Sequence, residues 1–162
     1  SAKSNLQKNL ALLNSTRGAL ITASGSLVTL LDTSISFQVW CDSSDANGPG
    51  LNRVTHPQTC ANYTSSSTTA LQTEIGSLHI DIDKLVALVD ALITEVIKAL
   101  GNFSSSGGTT AQNISQVGSI LSQAATVNLD GSQLSNEIQT RVSGAQAGLQ
   151  QCQINATPSN CP

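Results

Sequence analysis

The strongest constraint on this chain is a rhythm. From Leu71 onward, apolar residues fall at Ile75, Leu78, Ile82, Leu85, Val89, Leu92 and Val96, in alternating steps of four and three without a miss. At 3.6 residues per turn, that spacing places them on one face of an α-helix. It predicts a helix over about 67–100, with Ser and Thr before position 70 to cap its start and Gly101-Asn102 to stop it. Ile80, Val86, Leu88, Ile93 and Ile97 widen the apolar face, which suits a central helix covered on two sides.

Two more helices follow from the same argument. The first spans about 2–35, where Leu6, Leu10, Leu13, Leu20, Leu27 and Leu31 keep the rhythm if Arg17 and Ser24 count as members. Residues 35–39 alternate apolar and polar, so they read either as its continuation or as a short strand. The third spans about 110–152, carried by Ile114, Val117, Leu121 and Ala124, then Leu134, Ile138, Val142, Ala145 and Leu149. Its rhythm falters over 128–132, where Gly131 suggests a kink or a break. The expected fold is all-α, an up-down-up bundle of three long helices forming a single domain over 1–162. With two Phe, one Tyr, one Trp and no Met, its core must be built of thin aliphatic layers. Closely packed helices supply such layers.

Residues 41–65 read as a loop, with Pro49-Gly50 suited to a type II turn. Such a connection is long for a bundle unless it is tied down. Cys41 and Cys60 lie at its ends, and Cys152 and Cys161 flank the C-terminal tail over 153–162. An even number of cysteines without a CxxC pair points to structural disulfides and an oxidising compartment. In an up-down-up bundle all four are expected to cluster at one pole. Three connectivities are possible, and local pairing of Cys41 with Cys60 and Cys152 with Cys161 needs the fewest assumptions. Five Asn-x-Ser/Thr sequons, at Asn14, Asn62, Asn102, Asn113 and Asn155, add the expectation of a secreted glycoprotein. Asn62 and Asn102 lie in or beside loops and are the readiest acceptors. A signal peptide is expected to have been removed ahead of Ser1.

Only 10% of the residues are charged, against about 25% in ordinary soluble domains. Seven Lys and Arg, scattered along a chain of net charge −3, cannot line a run of phosphates, so nucleic acid is not an expected partner. Asp90, Glu95 and Lys98 interrupt the most apolar stretch, 85–100, and no transmembrane segment is expected. His79, Asp81 and Asp83 share a helical turn but offer at most two ligands together, and His56 lies far away in the loop. No metal site is expected. Ser43-x-Asp45-x-Asn47-Gly48 begins like a calcium loop, yet Val54 stands where a bidentate Glu is required.

No signature of nucleotide, serine or zinc chemistry is present, so neither an enzyme nor a cofactor is expected. The expected role is a structural or binding module in an extracellular assembly, coat or secretion. Its partners would be other extracellular proteins or copies of itself. The alternative is a carrier holding a lipid or other hydrophobic small molecule against Leu78, Ile82, Leu85 and Val89. Its motive is that Arg17, Ser24 and Asn128 interrupt the facing stripes.

Overall fold

The computed structural model describes residues 1–45, 48–103 and 111–155, with side chains placed for 1–45, 48–103 and 113–147. The described elements are all helices: α1 (Ala2–Cys41), α2 (Asn52–Thr55), α3 (Pro57–Cys60), α4 (Ser65–Phe103) and α5 (Ala111–Asn155). The Ser1 hydroxyl accepts the Ser4 N–H at 3.3 Å, and the Thr64 hydroxyl accepts the Ser67 N–H at 3.1 Å, so each of two long helices starts on a side-chain cap. The alternation at 35–39 belongs to α1, which buries Phe37 and Cys41 four residues apart and leaves Val39 exposed.

The chain forms two compact units, Ser1–Ser24 with Ile80–Asn136 and Gly25–His79 with Glu137–Pro162. In the first, α1 buries Leu6, Leu13 and Leu20, and α4 buries Ile82, Val89 and Val96. Each of these rows repeats every seven residues, a spacing that drifts only about 20° per repeat around a straight helix, so each row keeps one face. α5 adds Val117, Ile120, Ala124 and Val127. Each buried Leu, Ile or Val contributes about 1.5–3 kcal/mol by leaving water.

The rows of α1 differ from the expected ones. Ala23, Leu30 and Phe37 are buried, whereas Leu10, Arg17, Ser24 and Leu31 are only half-buried. Arg17 therefore leaves the seam and pairs with Asp90 of α4 at 2.7 Å. At this exposure such a pair contributes about 0–1 kcal/mol. The apolar face of α4 is also narrower than expected, since Ile80, Leu88 and Ile97 are each more than half exposed.

α5 runs unbroken through 128–132, one long helix and not the two shorter ones that a break would give. The faltering rhythm has another cause. Gly131 is buried, and a Cβ there would lie 2.6 Å from Thr16 Cγ2 and 3.5 Å from Leu20 Cδ1. The glycine thus admits the close approach of α1. Thr16 donates its hydroxyl hydrogen to Asn128 Oδ1 at 2.6 Å, and Ser135 donates to the Ala19 carbonyl at 3.4 Å. These polar residues satisfy one another across the contact, so they are members of the seam and not gaps in it.

The second unit buries Leu27, Leu30, Ile75, Ile138 and Val142. Gln139 donates its side-chain amide to the Ser26 hydroxyl at 2.9 Å, and the Arg141 guanidinium grips both carboxylate oxygens of Glu74.

Gly131 gives a direct test of this packing. Alanine there gains about 1 kcal/mol in helix propensity but collides with the stiff β-branched Thr16, at a penalty of about 1–3 kcal/mol. Urea unfolding of Gly131→Ala should show a net loss of about 1 kcal/mol, abolished in a Thr16→Ala background. Gly18→Ala, whose new Cβ meets nothing within 4 Å, should gain about 0.5–1 kcal/mol.

Candidate functional site

The residues most unlike the rest of the chain converge where α1 ends. Phe37, Cys41 and Cys60 form a buried cluster against which Trp40 and Tyr63 pack. Cys41 and Cys60 are joined by a disulfide with their Cα atoms 5.7 Å apart, which is the local pairing on the N-terminal side. The Tyr63 ring stacks on Phe37 with centroids 4.2 Å apart and planes 10° from parallel, and Trp40 meets Phe37 edge-on at 6.0 Å. Flat rings cover the disulfide where aliphatic side chains are scarce.

The loop is folded rather than slack. Gly50 takes φ +108°, a conformation that strains residues with a Cβ, and lets Asp45 N–H reach the Gly50 carbonyl at 2.9 Å. Asn52 N–H then bonds the Ser43 carbonyl at 2.9 Å, and the buried Asn52 side chain donates to the Trp40 carbonyl at 2.8 Å.

Arg53 is the hub. Its Nε donates to Asp42 Oδ1 at 2.7 Å, while its two terminal nitrogens donate to the Cys60 and Tyr63 carbonyls at 2.8 Å each. One guanidinium thereby satisfies two backbone acceptors in the turn after α3 and ties them to the end of α1. The hydrogen bond from Arg53, and then its charge, hold the Asp42 carboxyl below its ordinary value. His56 is buried with its ring tilted against Trp40 at 5.1 Å. Its Nδ1 lies 3.0 Å from the Thr55 hydroxyl.

Each unit carries a surface groove with apolar residues in its lining. In the second unit a groove of about 620 Å³ is lined in part by Leu30, Asn62, Tyr63, Leu71, Glu74 and Arg141. In the first unit a groove of about 370 Å³ runs along Leu88, Ala91, Leu92 and Val127. The residues expected to line a hydrophobic slot are placed elsewhere. Ile82 and Val89 are buried, Leu78 and Leu85 are half-buried, and none of the four lines either groove.

Asn14 and Asn62 are exposed, and Asn102, in the last turn of α4, is half-buried like Asn113. The side chains of Asn155 and Cys152, and all of Cys161, lie outside the described residues, and so does the expected clustering of four cysteines. Among the described residues no three His, Cys, Asp or Glu gather as a metal site. α1 carries a stretch of mean hydropathy 1.3, long and apolar enough by length and composition to cross a membrane, which the 85–100 stretch did not suggest. That stretch is 39% buried, and α1 supplies seam leucines to both units.

Sequence reasoning missed Arg53, Asn52 and His56. Arg53 had a signal, being the one Lys or Arg over 41–65 and the side chain there with the most hydrogen-bond donors.

Arg53→Lys keeps the charge but loses the fork, and should lower unfolding free energy by about 1–3 kcal/mol. The Asp42 carboxylate stabilises the fold fully above the ordinary aspartate value of about 3.9, and this contribution disappears as pH falls through its lower folded value. Acid titration of stability should therefore be shallower in Asp42→Asn than in the parent chain.

Compared with protein-family models, curated proteins and solved structures, the chain matches none.

Proposed function

We infer that this chain is a non-catalytic, secreted glycoprotein module with a structural or binding role in an extracellular assembly, coat or secretion. The observation that carries the reading is the Cys41–Cys60 disulfide, with both residues fully buried beside the stacked Phe37 and Tyr63. Disulfides of this kind persist in oxidising compartments. Closing a loop of this length stabilises a fold by about 3 kcal/mol.

Several features support the rest. Arg17, Arg53 and Arg141 are each engaged by a carboxylate at the surface, and only 10% of the residues are charged while Ser, Thr, Asn and Gln are abundant. Such a surface suits sugars and broad, weakly charged contacts with other proteins or further copies of the chain. Within the first unit, Thr16 pairs with Asn128 and Ala19 with Ser135, which fits α1 and α5 running in the same direction. Within the second, Gln38 of α1 meets Ser65 and Thr68 at the start of α4, which fits an antiparallel neighbour. The up-down-up arrangement we favour has these directions, and it would bring Cys152 and Cys161 to the pole of the first disulfide.

A second reading, a carrier of a lipid or other hydrophobic small molecule, rests on the groove along Leu88, Ala91, Leu92 and Val127. Its volume of about 370 Å³ falls within the roughly 300–1,000 Å³ of ligand sites. The polar residues that motivated a slot elsewhere are paired, Arg17 with Asp90 and Asn128 with Thr16, which weakens that reading.

Organic extraction of the native protein followed by mass spectrometry separates the two. The module should yield no lipid in fixed ratio to protein. One lipid per chain would replace our reading with the carrier.

A further inference from the structure

The groove of the second unit has an unusual rim. Asn62, the acceptor of the sequon Asn62-Tyr63-Thr64, is exposed and is itself one of the groove's lining residues. Beside it stands Tyr63, one ring face covered by Phe37 at 4.2 Å and the residue only half-buried. The Glu74–Arg141 pair and Leu71 line the same groove. An aromatic ring, an aliphatic patch and a fixed charged pair of donors and acceptors form the kind of surface that takes a pyranose ring. Sugar C–H faces lie on apolar and aromatic surface, and sugar hydroxyls exchange hydrogen bonds with charged partners. The volume, about 620 Å³, is well within the range of roughly 300–1,000 Å³ typical of small-ligand sites.

We propose that this groove is the seat of the chain's own N-linked glycan: the sugar on Asn62 folds back over Tyr63 and Leu71 toward Glu74 and Arg141. This rests on the glycoprotein reading and gives it a structural purpose. Attachment replaces one hydrogen of the Asn62 carboxamide nitrogen with the anomeric carbon of a lipid-diphosphate oligosaccharide donor. The lipid diphosphate leaves with the bonding electron pair, and the amide proton passes to the transferase's base. The seated sugar removes the apolar part of the groove from water and braces the turn between the disulfide and α4. Thr64 serves twice, as the hydroxyl of the sequon and, through its 3.1 Å bond to the Ser67 N–H, as the cap of α4.

Gly144 makes the proposal testable. It lines the groove on α5, and a Cβ built there meets nothing within 4 Å, so a side chain at this position enters open space. The full chain, secreted from a eukaryotic host, is treated without denaturant with a peptide N-glycanase, and release at Asn62 is followed by site-resolved mass spectrometry. A seated glycan should leave at least about tenfold more slowly from the native chain than from the denatured one. Gly144→Trp, which fills the groove, should raise the native rate close to the denatured rate, while Gly144→Ala should leave it slow. Circular dichroism confirms that both variants keep their helices. If Gly144→Trp loses helix, Glu74→Ala with Arg141→Ala replaces it, with the same acceleration expected. Asn62 found unmodified overturns the proposal together with the glycoprotein reading at that site. A glycan released as fast from native as from denatured protein, or slow release that filling the groove does not change, overturns the proposal alone.

Discussion

The structure depends on thin aliphatic rows that repeat every seven residues along three long helices. Leu6, Leu13, Leu20 and Leu27 on α1, and Ile75, Ile82, Val89 and Val96 on α4, are all buried, without a single aromatic ring among them. Short side chains bring helix axes close, and close axes leave little room for error. Gly131 shows the consequence, since even one methyl at this position would run into Thr16. The polar members of the seam follow from the same closeness. A hydroxyl and a carboxamide meeting at 2.6 Å satisfy each other and need no water.

The chain concentrates its rings at the other kind of problem. Three of its four aromatic residues, Phe37, Trp40 and Tyr63, gather where α1 gives way to the loop. A loop of turn-forming residues has little aliphatic surface to bury, so wide rings and a disulfide hold it instead. Two of its backbone acceptors, the Cys60 and Tyr63 carbonyls, share one guanidinium that also holds Asp42, and this makes Arg53 the residue on which the local order turns.

The helical fold was legible because a buried helix face must repeat every three to four residues, and the run from Leu71 to Val96 leaves no other periodic reading. Detail was less legible, for reasons of geometry. On α1, leucines at steps of both three and four follow Leu6, and only the neighbouring helices decide which row is inside. At Gly131 a sequence shows the missing side chain but not the helix that approaches it. The widened face of α4 read as fully covered, yet Ile80, Leu88 and Ile97 face solvent, since hydropathy alone does not say how many neighbours a helix has. Of the candidate site, the Cys41–Cys60 pair could be anticipated from its bracketing of the loop. The network of Asn52, Arg53 and His56 could not, because it depends on backbone carbonyls that have no sequence signature.

The central claim is that this is an oxidised helical module whose loop is pinned to the end of α1. The proposed oxidising compartment rests on that disulfide. The most direct test is a peptide map of the native chain, digested without reduction after thiols are blocked. The account predicts one fragment joining Cys41 to Cys60, with neither found as a blocked free thiol. A free thiol at either position, or Cys41 joined to a C-terminal cysteine, would contradict it.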